Sequence, residues 1–174
     1  MSHVPIDSAE DWIERLGLRP LAFEGGFYRE TYRSSERVDA SALRREYGGP
    51  RSLCTSIYYL LTPTTCSRLH RLRTDEIYHF YRGDPVVMVH LHDDGSSRVI
   101  RFGGEEEAEP QILVPAGIWQ GSILAEGGRF ALMGTTMSPG FDLADFEAGD
   151  RDTLLARYPD RSEWIVRLTE ERPE

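Results

Sequence analysis

The sequence predicts a mainly β chain: a double-sheet jelly-roll barrel with an N-terminal helix and short C-terminal helices. Two observations predict it. Short runs rich in aromatic and β-branched residues fill most of the chain, and Gly, Pro and Asp turn signals separate them about every eight to twelve residues. Nothing repeats and nothing is of low complexity. Residues 1–174 suit one domain with a single buried core, the barrel spanning residues 22–146 and the flanking helices residues 8–16 and 150–168.

Composition narrows the function classes. Twenty basic against 29 acidic residues leave a net charge of −9, which argues against nucleic acid as a partner and for a soluble, self-repelling surface. No apolar run approaches the length of a membrane span, and the N-terminus lacks the charged-then-apolar layout of a signal peptide, so no membrane partner is expected. Cys54 and Cys66 lie in separate strand-like runs rather than in a Cys-x-x-Cys pair. Two free, buried thiols point to a reducing cytoplasm.

Residues 8–16 read as an amphipathic helix. Ser8 caps it, Asp11 completes a capping box, and Ala9, Trp12, Ile13 and Leu16 recur at helical spacing. Gly17 fits the C′ position, with Pro20 just beyond. Glu24, Gly25 and Gly26 form a turn, and the strand after it sets Phe27, Arg29 and Thr31 opposite Tyr28, Glu30 and Tyr32. No Gly-Lys-Ser/Thr follows the glycine pair, which rules out a P-loop. One reading is an edge strand with a charged outer row. The other places Glu24, Tyr28 or Arg29 at the barrel mouth, with Arg29 available to a carboxylate or phosphate on a ligand.

Residues 35–51 read mainly as an exposed excursion, with a short helix capped by Asp39 and running through Tyr47. Residues 53–62 form the strongest strand, stopped by Pro63, and residues 66–72 carry His70 inward. Residues 86–92 and 97–102 make a hairpin around the Asp93-Asp94-Gly95 turn. His90 and His92 stand two apart, as metal ligands do. Val87, Val89 and Leu91 form the apolar face of that strand, so both histidines are expected beside the solvated turn and not as ligands. Residues 105–109 make an acidic, solvated tip. Residues 111–114, 117–124 and 129–137 supply the later strands. Residues 141–146 cover one barrel end. Asp150 or Asp152 then caps a helix ending near Tyr158, and a last short helix covers residues 161–168.

The functional reading centres on His70-Arg-Leu-Arg-Thr-Asp-Glu76-Ile-Tyr-His-Phe-Tyr-Arg-Gly83 and, further along, Pro115-Ala-Gly-Ile-Trp-Gln120. Alternation puts Glu76, Tyr78 and Phe80 on one face and Ile77, His79 and Tyr81 on the other. His70, Glu76 and Gln120 are expected to meet inside the barrel.

This layout resembles the cupin superfamily, the RmlC-like jelly rolls. The superfamily's first motif sets two histidines two apart, a glutamate three or four positions on and a glycine after six more. Its second motif sets Pro-x-Gly, two residues, then a histidine. His70, Glu76 and Gly83 fall on the first motif, and Pro115 and Gly117 on the second. Leu72 and Gln120 stand where two metal-ligating histidines belong. The wider text, from Glu24-Gly-Gly-Phe-Tyr through Pro139-Gly-Phe-Asp142, looks like a branch of small, single-domain cupins without an agreed reaction. The resemblance covers residues 15–170 and implies the fold; it implies no one reaction, since cupins host many.

Two chemistries stay open at this corner of the barrel. In one, His70, Glu76 and Gln120 hold a divalent metal ion weakly, with waters completing its shell, although the two-histidine, one-carboxylate pattern of non-haem iron lacks its second histidine. In the other, Leu72 makes the corner apolar and His70 pairs with Glu76 without metal. The carboxylate would then raise the imidazole pKa and fix its tautomer, giving a general base, with Tyr78 as general acid or ligand partner. At fold level this is similar to the superfamily's metal-free sugar-nucleotide epimerases, but their basic phosphate-binding strand is absent beyond Arg29 and Arg71 or Arg73.

Three function classes follow. The first is a small-molecule enzyme, isomerase- or epimerase-like or metal-dependent, acting on a sugar-like or small polar metabolite. The second is a non-catalytic ligand-binding module. A structural role ranks last, because polar side chains converge where a core needs apolar ones. Glu24, Tyr28, Arg29, Gln120 and Phe141 are the candidate ligand contacts. No cofactor other than that divalent ion is implied. Exposed edge strands with aromatic surfaces further predict a homodimer.

Overall fold

The computed structural model describes residues 8–43 and 47–169. Along the chain run α1 (Ala9–Leu16), β1 (Arg19–Pro20), β2 (Phe27–Arg33), β3 (Arg37–Val38), β4 (Arg51–Ser52), β5 (Thr55–Leu61), β6 (Cys66–Leu72) and β7 (Glu76–Gly83). There follow β8 (Val86–Leu91), β9 (Ser97–Phe102), β10 (Gln111–Val114), β11 (Trp119–Leu124), β12 (Ala131–Met137), β13 (Phe146–Ala148), α2 (Arg151–Arg157) and α3 (Ser162–Thr169). A six-stranded sheet of order β1-β2-β5-β12-β7-β10 packs on a five-stranded sheet of order β13-β6-β11-β8-β9, while β3 and β4 pair apart from both. The pairs that build both sheets are antiparallel.

Alternation along each strand decides the layers. On β8, Val86 and Met88 face the barrel interior with Tyr59, Tyr78 and Met133 of the opposite sheet. Val87, Val89 and Leu91 face outward and are covered by Leu154 of α2 and by Ile165 and Leu168 of α3. On the far side, Ala9 of α1 packs on Leu60, Phe130 and Leu132. That helix is fixed at both ends. Ser8 Oγ accepts from the Asp11 N–H at 3.1 Å, Asp11 Oδ2 accepts from the Ser8 N–H at 3.3 Å, and Gly17 closes the last turn at φ 60°.

The described part of residues 35–50 is exposed or half-buried, as the sequence suggests, but the segment is tied down at its end. Arg37 pairs with Ser52 and Val38 with Arg51. Arg51 is buried, and its guanidinium grips Asp145 at 2.7 and 2.8 Å. Such a fork matches a carboxylate with two parallel hydrogen bonds, the geometry that best offsets loss of water around two buried charges. The Asp39 cap is present on a single 3-10 turn, Ala40–Ala42. The remainder of the helix expected through Tyr47 includes residues 44–46, which lie outside the described residues. Among the described residues, no helix is long and apolar enough to cross a membrane.

Candidate functional site

Strand register assembles the site. Gln120 on β11 pairs with His70 on β6 on one side and with His90 on β8 on the other. Directly opposed residues share a face, and here that face is the barrel interior: His70, Gln120 and His90 are 1%, 2% and 3% exposed. Glu76 reaches the same end from the start of β7 in the facing sheet, and Gln120 Nε2 donates to its Oε2 at 2.7 Å. His90 is thus not beside a solvated turn. It does oppose Val87, Val89 and Leu91, but α2 and α3 cover their face, so both faces of β8 are buried.

Glu24 enters from the loop before β2. Ser67 Oγ donates to Glu24 Oε1 at 2.7 Å, and Glu24 Oε2 lies 3.9 Å from His70 Nε2. Glycine is required beside it. Gly25 has φ 106°, and a Cβ there would sit 2.2 Å from the Cys66 carbonyl oxygen. Tyr59 Oη donates to the Gly25 carbonyl at 2.9 Å and pins the loop from within the barrel.

His70 Nδ1 lies 2.7 Å from the Arg68 carbonyl oxygen. A carbonyl only accepts, so Nδ1 carries the hydrogen, and Nε2 is the ring nitrogen turned toward Glu24. That Nε2 is buried without a hydrogen-bond partner, as is Ser122 Oγ. Burial, and after it the charge of Glu24, pushes the Glu76 carboxyl above its usual range, while His70 and the Gln120 and Thr135 hydrogen bonds pull the other way. Burial also drives the Tyr59 and Tyr78 phenols well above theirs, with the Glu24 and Glu76 charges next in importance. Both phenols therefore stay protonated at neutral pH.

A cavity of about 60 Å³ opens onto Glu24 and Glu76, walled by Tyr28, Leu72, Thr135 and Met137 and roofed by Phe23 and Phe141. Phe23 stacks on Phe141 at 6.1 Å and meets Phe146 edge-on at 4.9 Å. Phe146 stacks in turn on His70 at 5.1 Å. His70 itself stands off the cavity wall, behind Glu24. Tyr78 also stands off it, 1% exposed and edge-on to Phe102 at 6.2 Å. Arg29 points to the other face of β2, where its guanidinium lies 5.6 Å over the Tyr58 ring. Alternation explains this, since it is Tyr28 that turns inward. Ser67, Phe23 and Phe146 belong to the site without any sequence motif that marks them.

A wider groove of about 570 Å³ runs outside the barrel past Arg71, Asp145 and Glu147. Arg71 is already paired with Glu147 at 2.8 Å and Asp145 with Arg51, so the buried cavity is the better site. The interior donor set does not fit a resident metal of the two-histidine, one-carboxylate type. Leu72 fills one ligand position, and Gln120 turns its amide N–H to Glu76. Among the described residues, no group of three or more His, Cys, Asp and Glu side chains could hold a metal ion.

Fold and site together define a jelly-roll barrel with a polar cluster buried at one end. The chain belongs to the cupin superfamily: the family model described as "Cupin superfamily (DUF985)" matches residues 10–149. A hypothetical protein from Leishmania major has the same fold at a TM-score of 0.83 and 35% identity, covering 95% of this chain and 100% of that one. A protein from Shewanella oneidensis gives 0.82 at 36% identity, with 97% and 99% covered. An uncharacterised protein of Saccharomyces cerevisiae is 27% identical over 132 residues, 70% of this chain and 66% of its own length. Oxalate decarboxylase from Bacillus subtilis shares the fold alone, with a TM-score of 0.52 at 17% identity over 86% of this chain and 36% of its own.

Proposed function

We propose that this chain binds a small polar metabolite at the closed end of the barrel, where Glu24 and Glu76 meet it, and transfers protons on it in the manner of an isomerase or epimerase. The observation that carries this is two carboxyl groups in unlike settings on one cavity. Glu76 is sealed in the interior and held toward its neutral form by burial. Glu24 lines the wall with Ser67 and His70 behind it. A pair whose environments differ offers an acid and a base in one closed site. Glu24 takes the proton, Glu76 returns one, and His70 acts as a positioning residue packed behind Glu24. The cavity, at about 60 Å³, suits a molecule of few atoms or one end of a larger one, since pockets for drug-sized ligands begin near about 300 Å³.

A second reading, a binding module without turnover, draws on His70 and Tyr78 both standing off the wall. The free thiols of Cys54 and Cys66 support a reducing cytoplasm as the compartment.

A thermal-shift screen of small sugars, amines and organic acids tests the site. A true ligand raises Tm in the wild type and loses its effect in Glu24→Gln and Glu76→Gln. Full shifts in both folded variants would place the site elsewhere. Hits followed by NMR in deuterated water separate the two readings: deuterium entering the ligand at carbon means proton transfer, and none means binding alone.

A further inference from the structure

We infer that the Phe23 side chain is the gate of this cavity, swinging outward to admit a ligand and back to seal it. The inference rests on the cavity of the binding reading above, and its test uses no ligand, so it can fail while that reading stands. Glu76 and Thr135 line the cavity and are both buried. At about 60 Å³ the cavity has room for a few waters, so a metabolite reaches these two side chains only after part of the roof moves. Two rings make that roof, Phe23 and Phe141, parallel to within 4° with their centroids 6.1 Å apart. Phe23 also meets Phe146 edge-on at 4.9 Å.

What is tied down decides what can move. The Phe141 N–H donates to Thr55 Oγ1 at 2.9 Å, its carbonyl accepts from Arg33 Nη1 at 3.0 Å, and the Gly140 N–H donates to the Ser52 carbonyl at 2.7 Å. The backbone around Phe23 is tied as well. The Ala22 carbonyl accepts from Arg68 Nη2, the Glu24 carbonyl from the Arg68 N–H at 2.8 Å, and the Gly25 carbonyl from Tyr59 Oη at 2.9 Å. Lifting either stretch of backbone breaks several hydrogen bonds at once. Turning the Phe23 ring about χ1 breaks none of them. Phe23 is 37% exposed and has solvent to turn into, whereas Phe141 is half-buried. Exposed side chains change rotamer within nanoseconds, and the ring contacts to Phe141 and Phe146 hold this one closed.

The test puts a thiol on the cavity wall of the full chain with Thr135→Cys and follows its modification by methyl methanethiosulfonate. Peptide mass spectrometry separates the new thiol from Cys54 and Cys66. The rate should stay flat in urea up to the unfolding transition, because a ring rotation exposes little surface and an unfolding event exposes much. Adding Phe23→Ala should raise it about tenfold or more, the scale of losing the aromatic contacts. Arg33→Met, which frees the Phe141 carbonyl, should leave it nearly unchanged, and buried Cys66 should keep its own rate throughout. If Thr135→Cys does not fold, Met137→Cys on the same wall takes its place. A rate that climbs with urea from the first additions would mean that backbone lifts or unfolds, and would overturn the gate. So would an unchanged rate with Phe23→Ala, an acceleration by Arg33→Met to match it, or an equal gain at Cys66.

Discussion

His70 and His90 flank the same glutamine, and their surroundings give them different properties. His70 keeps its outer nitrogen bare beside a carboxylate. His90 Nε2 faces Met88 Sδ at 3.3 Å, and burial first, then the charges of His92 and Arg98, lowers its pKa to about 4. The sign of the resulting pH dependence is definite. Above pH of about 6.5 the ring is neutral folded or unfolded and contributes nothing; below it the unfolded chain binds the proton first, so stability falls until the folded ring also titrates near pH 4. At about 1.4 kcal/mol per unit, the loss reaches on the order of 3 kcal/mol. Urea unfolding at pH 7 and pH 4 should therefore show His90→Gln losing about 3 kcal/mol less than the wild type between the two; equal losses would mean that His90 is not buried neutral. Alternation alone made the inward face of His70 and Leu72 legible. His90 was not, because nothing local to β8 tells that two distant helices cover its other face. Ser67 escaped for another reason: the register of β11 against β6 shifts between Gln120 and Ser122, and strict alternation from His70 does not reach across it.

Segments fared according to how local their causes are. The runs read at residues 66–72, 97–102 and 111–114 coincide with β6, β9 and β10, because turn residues bound each one. The excursion is exposed as read but for Arg51 at its end, which is buried against a carboxylate 94 residues away. That ion pair joins β4 to the 3-10 turn Leu143–Asp145, which stands between Phe141 of the cavity roof and Phe146, whose ring meets Phe23 edge-on. Arg51→Met should cost about 3–5 kcal/mol, since it leaves the buried Asp145 with only the exposed Arg73, 3.9 Å away, and the double variant Arg51→Met, Asp145→Leu should recover most of that loss. Chemical denaturation of the three proteins measures it. A loss under about 1 kcal/mol would class the pair with exposed ion pairs, despite side-chain exposures of 5% and 3%.

For the whole molecule, coverage of the two sheets is unequal. α2 and α3 lie over the five-stranded sheet, whereas α1 seats on only part of the six-stranded one, leaving Tyr81 of β7 and Leu113 of β10 exposed at 49% and 54%. β10 is also that sheet's last strand. A free edge beside apolar side chains is a template for a second chain, so light scattering after size exclusion should return a homodimer at micromolar concentration. Leu113→Glu should shift it toward monomer; a wild type that stays monomeric contradicts the pairing. The polar row His70–Gln120–His90 has a bearing on how the chain finds this shape at all. Slide β11 by one residue and Trp119 or Gly121 enters the barrel, while Gln120 is pressed under Leu154, Ile165 and Leu168, which have no side-chain hydrogen bonds to offer it. Misaligned strands are therefore penalised when the helices dock. The row proofreads strand alignment, and a descendant that exchanged it for leucines would surrender that fidelity along with the chemistry.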